Sequence, residues 1–297
     1  MTADILRIGL VQHACTTDRE ANLERIAEGI GQAAGLGAEL VLLQELHNGP
    51  YFCQTEDLNY FDLAETIPGP STETLGQIAK RHGIVLVCSL FEKRAVGLYH
   101  NTAVVIEKDG AIAGIYRKMH IPDDPGFYEK YYFTPGDLGF HPVATSVGKL
   151  GVLVCWDQWF PEAARLMALA GADILLYPTA IGWEPSDASE EKQRQLDAWL
   201  TVQRGHAIAN GIPVAASNRV GFESANPEDP DKGIDFWGHS FILGPMGEYL
   251  SRSQGTETCV LTADIDRKHQ ERVRRTWPFL RDRRIEDYKE LCKRFRN

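Results

Sequence analysis

A chain of 297 residues with 43% hydrophobic and 24% charged residues can bury a sizeable core, which separates it from disordered sequences. Its formal net charge of -10 argues against a nucleic-acid partner, whose phosphates demand a basic surface, and favours a cationic small molecule by electrostatic steering. The longest apolar runs, such as Ile84 to Val87 and Ile174 to Tyr177, fall far short of the ~20 residues needed to cross a bilayer, so no membrane partner is expected.

Strand and helix signals then alternate along the chain. Ile5 to Val11 reads as a strand, Asn22 to Gly35 as a helix with Leu23, Ile26, Ala27, Ile30 and Ala34 near helical spacing, and Leu40 to Leu43 as a second strand. Ser71 to Arg81 predicts a helix stopped by Gly83, followed by a strand from Ile84 to Phe91. Asn101 to Glu107 and Ala111 to Tyr116, joined through Lys108-Asp109-Gly110, predict an antiparallel hairpin. From Lys149 the alternation resumes: strand Gly151 to Val154, helix Pro161 to Ala170, strand Ile174 to Tyr177, a long helix from about Glu190 to Asn210, and strand Val214 to Ser217. Phe241 to Leu243 and Glu248 to Leu250 form a second hairpin, and Val260 to Ile265 a last strand. This is the pattern of an α/β fold, and the lack of a Pro/Ser-rich linker makes residues 1–297 one expected domain. The tail 277–297, aromatic and basic with little room for its own core, is expected to dock on a neighbouring subunit of a homo-oligomer.

The first twenty residues place Asp4, Arg7, Asp18, Arg19 and Glu20 around a short apolar stretch, so no secretion signal is expected. The cysteines at 15, 53, 88, 155, 259 and 292 are scattered, without a Cys-x-x-Cys pair, which fits reduced thiols in a cytoplasm. Nine histidines without His-x-x-x-His give no metal signature, and the glycine-rich stretches lack both the Walker and dinucleotide patterns, so neither a metal nor a cofactor is expected.

In open α/β sheets ligands bind beyond the carboxyl ends of strands. Three reactive residues stand there: Glu45, Lys118 and Cys155. Singly, each has a plainer reading, as a crevice-edge charge, a solvated cation and a buried inert thiol. Together they supply what acyl transfer needs: a nucleophilic thiol on a strand-to-helix turn, a carboxylate to move its proton, and an ammonium to meet an oxyanion.

The segments Leu42-Leu43-Gln44-Glu45, Tyr116-Arg117-Lys118-Met119-His120-Ile121-Pro122 and Val154-Cys155-Trp156-Asp157-Gln158-Trp159-Phe160-Pro161-Glu162, in this order, resemble the nitrilase superfamily over nearly the whole chain. The resemblance implies an αββα four-layer sandwich, two mixed sheets with outer helices, that pairs across subunits. It implies Cys155 as nucleophile, Glu45 as general base, Lys118 as oxyanion stabiliser and Glu129 as a second positioning glutamate.

Relatives that hydrolyse N-carbamoyl amino acids carry arginine shortly after the cysteine, where it can clamp a carboxylate. Gln158, Trp159 and Phe160 stand there instead. With Tyr177-Pro178-Thr179-Ala180-Ile181-Gly182 and Ala216-Ser217-Asn218-Arg219-Val220-Gly221, the resemblance implies hydrolysis of N-carbamoylputrescine to putrescine, ammonia and carbon dioxide. Such a substrate needs apolar walls and an acidic end group, for which Tyr51, His120, Trp156, Trp183 and Glu184 are candidates, Glu184 as the amine anchor. The competing expectations are another carbamoyl or ω-amide hydrolase, such as one acting on β-ureidopropionate, a non-catalytic binding member of the fold, and a thiol redox protein using Cys155.

Overall fold

The computed structural model describes residues 4–226 and 229–296, so Asn297 of the expected tail lies outside the described residues. The first half runs β1 (Ile5–Gln12), α1 (Arg19–Gly35), β2 (Leu40–Leu43), α2 (Pro70–His82), β3 (Val85–Ala95), β4 (Leu98–Ile106) and β5 (Ile112–Arg117). A short helix, α3 (Glu129–Tyr132), precedes β6 (Val143–Thr145), β7 (Gly148–Val152), α4 (Pro161–Leu169), β8 (Ile174–Pro178), β9 (Gly182–Trp183), α5 (Ser189–Asn210) and β10 (Val214–Ser217). The remainder is β11 (Val220–Asn226), β12 (Asp229–Trp237), β13 (Phe241–Leu243), β14 (Tyr249–Arg252), β15 (Cys259–Asp266) and α6 (Arg267–Thr276).

Two six-stranded mixed sheets result, ordered β15-β1-β2-β3-β4-β5 and β14-β13-β10-β8-β7-β6. Their parallel centres are β1, β2 and β3 in one sheet and β10, β8 and β7 in the other. The residues of β2 show why the sheets stack with helices outside. Leu40 and Leu42 face the core shared with the second sheet, where Leu150, Val152, Leu175 and Val214 meet them, whereas Val41 and Leu43 pack with Ile26 and Ile30 of α1 and Leu75 and Ile78 of α2. A strand buried on both faces must be apolar at every position, as this one is. On the far side, Ala163, Ala164 and Met167 of α4 and Trp199 and Leu200 of α5 close the second sheet, completing the expected αββα arrangement.

The elements α3, β6 and α6 have no counterpart in the sequence expectation, and two further features depart from it. β3 continues past Phe91 to Ala95 and turns directly into β4, with Gly97 at φ +75° in the turn. Lys93, Arg94 and Ala95 are exposed, so no apolar run marks that extension. A third sheet, ordered β11-β12-β9, also forms from a polar, glycine-containing stretch whose burial alternates too irregularly to read as strands. Among the described residues, no helix is long and apolar enough to cross a membrane. The described tail is two short 3-10 turns that leave Trp277, Phe279, Ile285, Leu291 and Phe295 exposed.

Candidate active site

Glu45, Lys118 and Cys155 follow β2, β5 and β7, and the packing of the two sheets brings those carboxyl ends together. The Glu45 amide donates to the Thr179 carbonyl at the end of β8 (3.2 Å), so the join between sheets passes through the site itself. Lys118 is fully buried, and its Nζ donates to Glu45 Oε1 at 2.8 Å and to Glu129 Oε2 at 2.7 Å. Glu129 comes from α3, in the connection between β5 of one sheet and β6 of the other. Tyr51 donates its hydroxyl to Glu129 Oε1 at 2.7 Å, and Asn101 of β4 donates its amide to Glu45 Oε1 at 2.7 Å. Glu45 Oε2 is buried and accepts no hydrogen bond from the described residues. One carboxylate oxygen is therefore anchored and the other is available to take a proton.

Cys155 opens a 3-10 turn (Cys155–Trp159) that leads into α4. Its φ is +40°, in the left-handed region, which costs a residue with a Cβ about 1–3 kcal/mol. Such a turn lifts the thiol out of the sheet edge into a cavity. Its hydrogen, when carried, lies toward the Ala180 carbonyl (Sγ to O, 3.7 Å). Burial pushes the Cys155 thiol well above the ordinary cysteine range; Glu45 adds to this, and the Lys118 ammonium opposes it. Burial and Glu45 thus both favour the thiol over the thiolate at Cys155. Burial also works against the Lys118 ammonium, but attraction to Glu129 and Glu45 outweighs it and holds the lysine protonated. Burial raises Glu129 to about 7, against the pull of Lys118. An ammonium has three N–H donors. Two are bound to carboxylates here, which leaves one for an oxygen developing negative charge nearby.

Cys155 and Glu129 face a cavity of about 610 Å³. Trp156, Trp159, Phe127 and Trp237 give it aromatic walls, and Asp124, Glu184, Asp187 and Glu191 line it as carboxylates. Arg194 also lines it, paired with Glu191 at 2.9 Å. Of the five residues expected to touch substrate, Trp156 and Glu184 line this cavity, Glu184 at an exposed position where it accepts a hydrogen bond from Ser186. The other three are engaged elsewhere. Tyr51 is buried and serves Glu129. The His120 ring donates from Nδ1 to Asp157 Oδ1 at 2.7 Å and stacks on Phe160 with centroids 3.8 Å apart. Trp183 donates its indole N–H to the Lys192 carbonyl and packs on Trp237, and it is Trp237 that reaches the cavity. Among the described residues, no group of three or more His, Cys, Asp or Glu side chains could hold a metal ion.

Three residues that the sequence did not single out complete the surroundings. Asn101 anchors Glu45. Arg219, fully buried, donates to the Glu45, Leu46 and Gly49 carbonyls and pairs with Glu223 at 2.6 Å, so it holds the loop that carries Glu45. Asp157 sits in the turn of Cys155 with no exposed surface. A buried charge with several partners is the signal common to Arg219 and Asp157, and it appears only once the fold is known. Near Lys118, Gly136 donates to its carbonyl at 2.8 Å. A Cβ at Gly136 would lie 2.0 Å from the Arg117 carbonyl oxygen, so only glycine lets this loop close.

The model of the carbon-nitrogen hydrolase family matches residues 7–275, from the first strand to α6. The chain belongs to that family. N-carbamoylputrescine amidase of Solanum lycopersicum is 43% identical over 288 residues, covering 97% of this chain and 95% of the relative. Citrullinase of Francisella tularensis is 41% identical over 291 residues, covering 98% and 99%. A solved carbon-nitrogen hydrolase from Helicobacter pylori G27 superposes with a TM-score of 0.95 at 54% identity, covering 98% of this chain and 100% of that one. This nitrilase-superfamily member is thus an amidohydrolase acting on non-peptide carbon–nitrogen bonds, with the expected fold.

Proposed function

We propose that the hydrolase cleaves N-carbamoylputrescine to putrescine, ammonia and carbon dioxide. The observation that carries this reading is the cavity facing Cys155: aromatic walls suit a short aliphatic chain, and carboxylates from Asp124, Glu184, Asp187 and Glu191 outnumber the one guanidinium, Arg194, already paired with Glu191. A terminal ammonium gains from such a rim, whereas a bare carboxylate is repelled.

In this reading Glu45 takes the Cys155 proton as the sulfur attacks the ureido carbon, and the tetrahedral oxyanion receives hydrogen bonds from Lys118 and the Trp156 amide. Collapse breaks a carbon–nitrogen bond, and the proton held by Glu45 leaves with the first amine. Water, deprotonated by Glu45, then attacks the thioester, releases the thiol and leaves a carbamate that loses carbon dioxide to free the second amine. Glu129, fixed by Tyr51, keeps Lys118 charged and aimed. The tail exposing Trp277, Phe279 and Phe295 docks on another copy of the chain, and truncation after Thr276 should lower the oligomeric state measured by light scattering.

The test is ammonia release from N-carbamoylputrescine, N-carbamoyl-β-alanine and citrulline. The cationic ureide should be preferred, Cys155→Ala should abolish release with the fold intact, and Glu184→Gln should raise KM about tenfold with kcat little changed, since a charge-assisted hydrogen bond is worth about 1.5–3 kcal/mol. Equal rates on all three ureides would sink the substrate; undiminished release in Cys155→Ala would sink the mechanism. Arg194 favours a second reading, a ureido amino acid whose carboxylate meets that guanidinium, and preference for citrulline in the same panel would select it.

A further inference from the structure

Asp157 connects the two chain segments that carry the thiol and the ammonium. Its Oδ2 accepts from the Val154 amide at 2.9 Å and from the Tyr116 hydroxyl at 2.8 Å. Its Oδ1 contacts the His120 amide at 3.0 Å and His120 Nδ1 at 2.7 Å. Val154 immediately precedes Cys155, while Tyr116 and His120 stand two residues before and two residues after Lys118. The His120 ring lies flat on Phe160, at the end of the Cys155 turn, with an interplanar angle of 5°. We propose that Asp157 is a positioning residue for catalysis, a clamp that sets where the Cys155 thiol stands relative to the Lys118 ammonium.

A fully buried carboxylate is costly unless its oxygens are saturated, and four donors saturate this one. Two of those donors are backbone N–H groups, on Val154 and His120, which cannot turn into acceptors. They face different oxygens. An asparagine of the same shape has one oxygen and one NH2, so whichever way it is turned, one backbone N–H meets another donor. The carboxylate is therefore chosen by geometry, and its two oxygens divide between the two segments. The Tyr116 hydroxyl can rotate, and it is the contact that can be deleted with the smallest change in shape. The strained φ of Cys155 gives the clamp something to hold, because a non-glycine residue in the left-handed region relaxes when its surroundings loosen.

The inference rests on Cys155 as nucleophile and Lys118 as oxyanion partner. Tyr116→Phe and Asp157→Asn are compared with the full-length enzyme, with Cys155→Ala run alongside. Steady-state ammonia release gives kcat and KM, and peptide-resolved mass spectrometry follows iodoacetamide alkylation of Cys155 across pH. Tyr116→Phe should lower kcat about tenfold and Asp157→Asn about a hundredfold, the loss associated with a misplacement of about 1 Å, with KM within twofold. The alkylation midpoint of Cys155 should move up, because the nearby ammonium favours the thiolate and a loosened turn weakens that help. A purely packing role would lower the melting temperature and leave kcat and the midpoint where they were. That outcome overturns the clamp, as does wild-type behaviour in Tyr116→Phe. If Asp157→Asn does not fold, Tyr116→Phe decides alone. Release by Cys155→Ala would instead overturn the underlying mechanism and is separate from either result.

Discussion

Arg219→Met removes the cation that holds the Glu45 loop while keeping most of its volume. Arg219 is fully buried and Glu223 nearly so, and their ion pair is 2.6 Å long. Removing one partner of a buried pair costs about 3–5 kcal/mol because the other charge is left uncompensated. Glu223 would retain the Tyr51 amide, which donates to its Oε2 at 2.6 Å, but no cation. The Glu45, Leu46 and Gly49 carbonyls would also lose a donor, at about 1 kcal/mol or more for each that water cannot reach. These terms overlap and do not simply add, so the net loss is about 4–5 kcal/mol. At about 2–4 °C per kcal/mol for a chain of somewhat smaller size, the melting temperature should fall by roughly 8–20 °C. Differential scanning calorimetry on Arg219→Met, Glu223→Leu and the double variant measures it. The double variant should be more stable than the sum of the two single losses by about 2 kcal/mol, since it leaves no unpaired charge. Strictly additive losses, or a drop below 3 °C in Arg219→Met, would refute the claim that this pair holds the loop.

Asn101→Leu should reduce kcat/KM at least tenfold with KM nearly constant, because it removes the donor fixed 2.7 Å from Glu45 Oε1; initial rates within twofold of wild type would exclude that role. Glu129 is raised from 4.5 to about 7 by burial, so the folded state keeps its proton across a window in which the unfolded chain releases it. Its contribution is fully present below pH 4.5 and declines as pH rises toward 7. The stability of the wild type relative to Glu129→Gln should therefore fall between pH 4.5 and 7.5 in melting experiments, and a constant difference would contradict the raised pKa. Since Tyr51 donates to this carboxylate and so favours its ionised form, Tyr51→Phe should move that decline to higher pH, read from the same melts.

What could be read along the chain was whatever depends on local pattern. Apolar runs and helical spacing located the central strands β1, β2, β8 and β10 and the helices around them to within a few residues, because burial on a sheet or helix face imposes its own period. Glu45, Lys118 and Cys155 were visible as reactive groups just past strands, and Glu129 through the family likeness. The extension of β3 and the β11-β12-β9 sheet were not legible, since exposed or irregularly buried strands leave no apolar alternation.

Other decisions belong to the tertiary structure. Tyr51, His120 and Trp183 have the chemistry of substrate-binding residues, yet in the fold Tyr51 serves Glu129, His120 serves Asp157, and Trp183 supports Trp237. Asn101, Asp157 and Arg219 look ordinary in sequence and become informative only when the fold buries their polar groups beside partners 37 to 174 positions away, or across a single turn. The sequence by itself determined the reactive groups and the layers that carry them. Which carboxylate oxygen stays free, which thiol is lifted into the cavity and which cations are held in place were decided by the packing of two sheets against each other, because hydrogen-bond geometry is a property of distances that chain order does not contain.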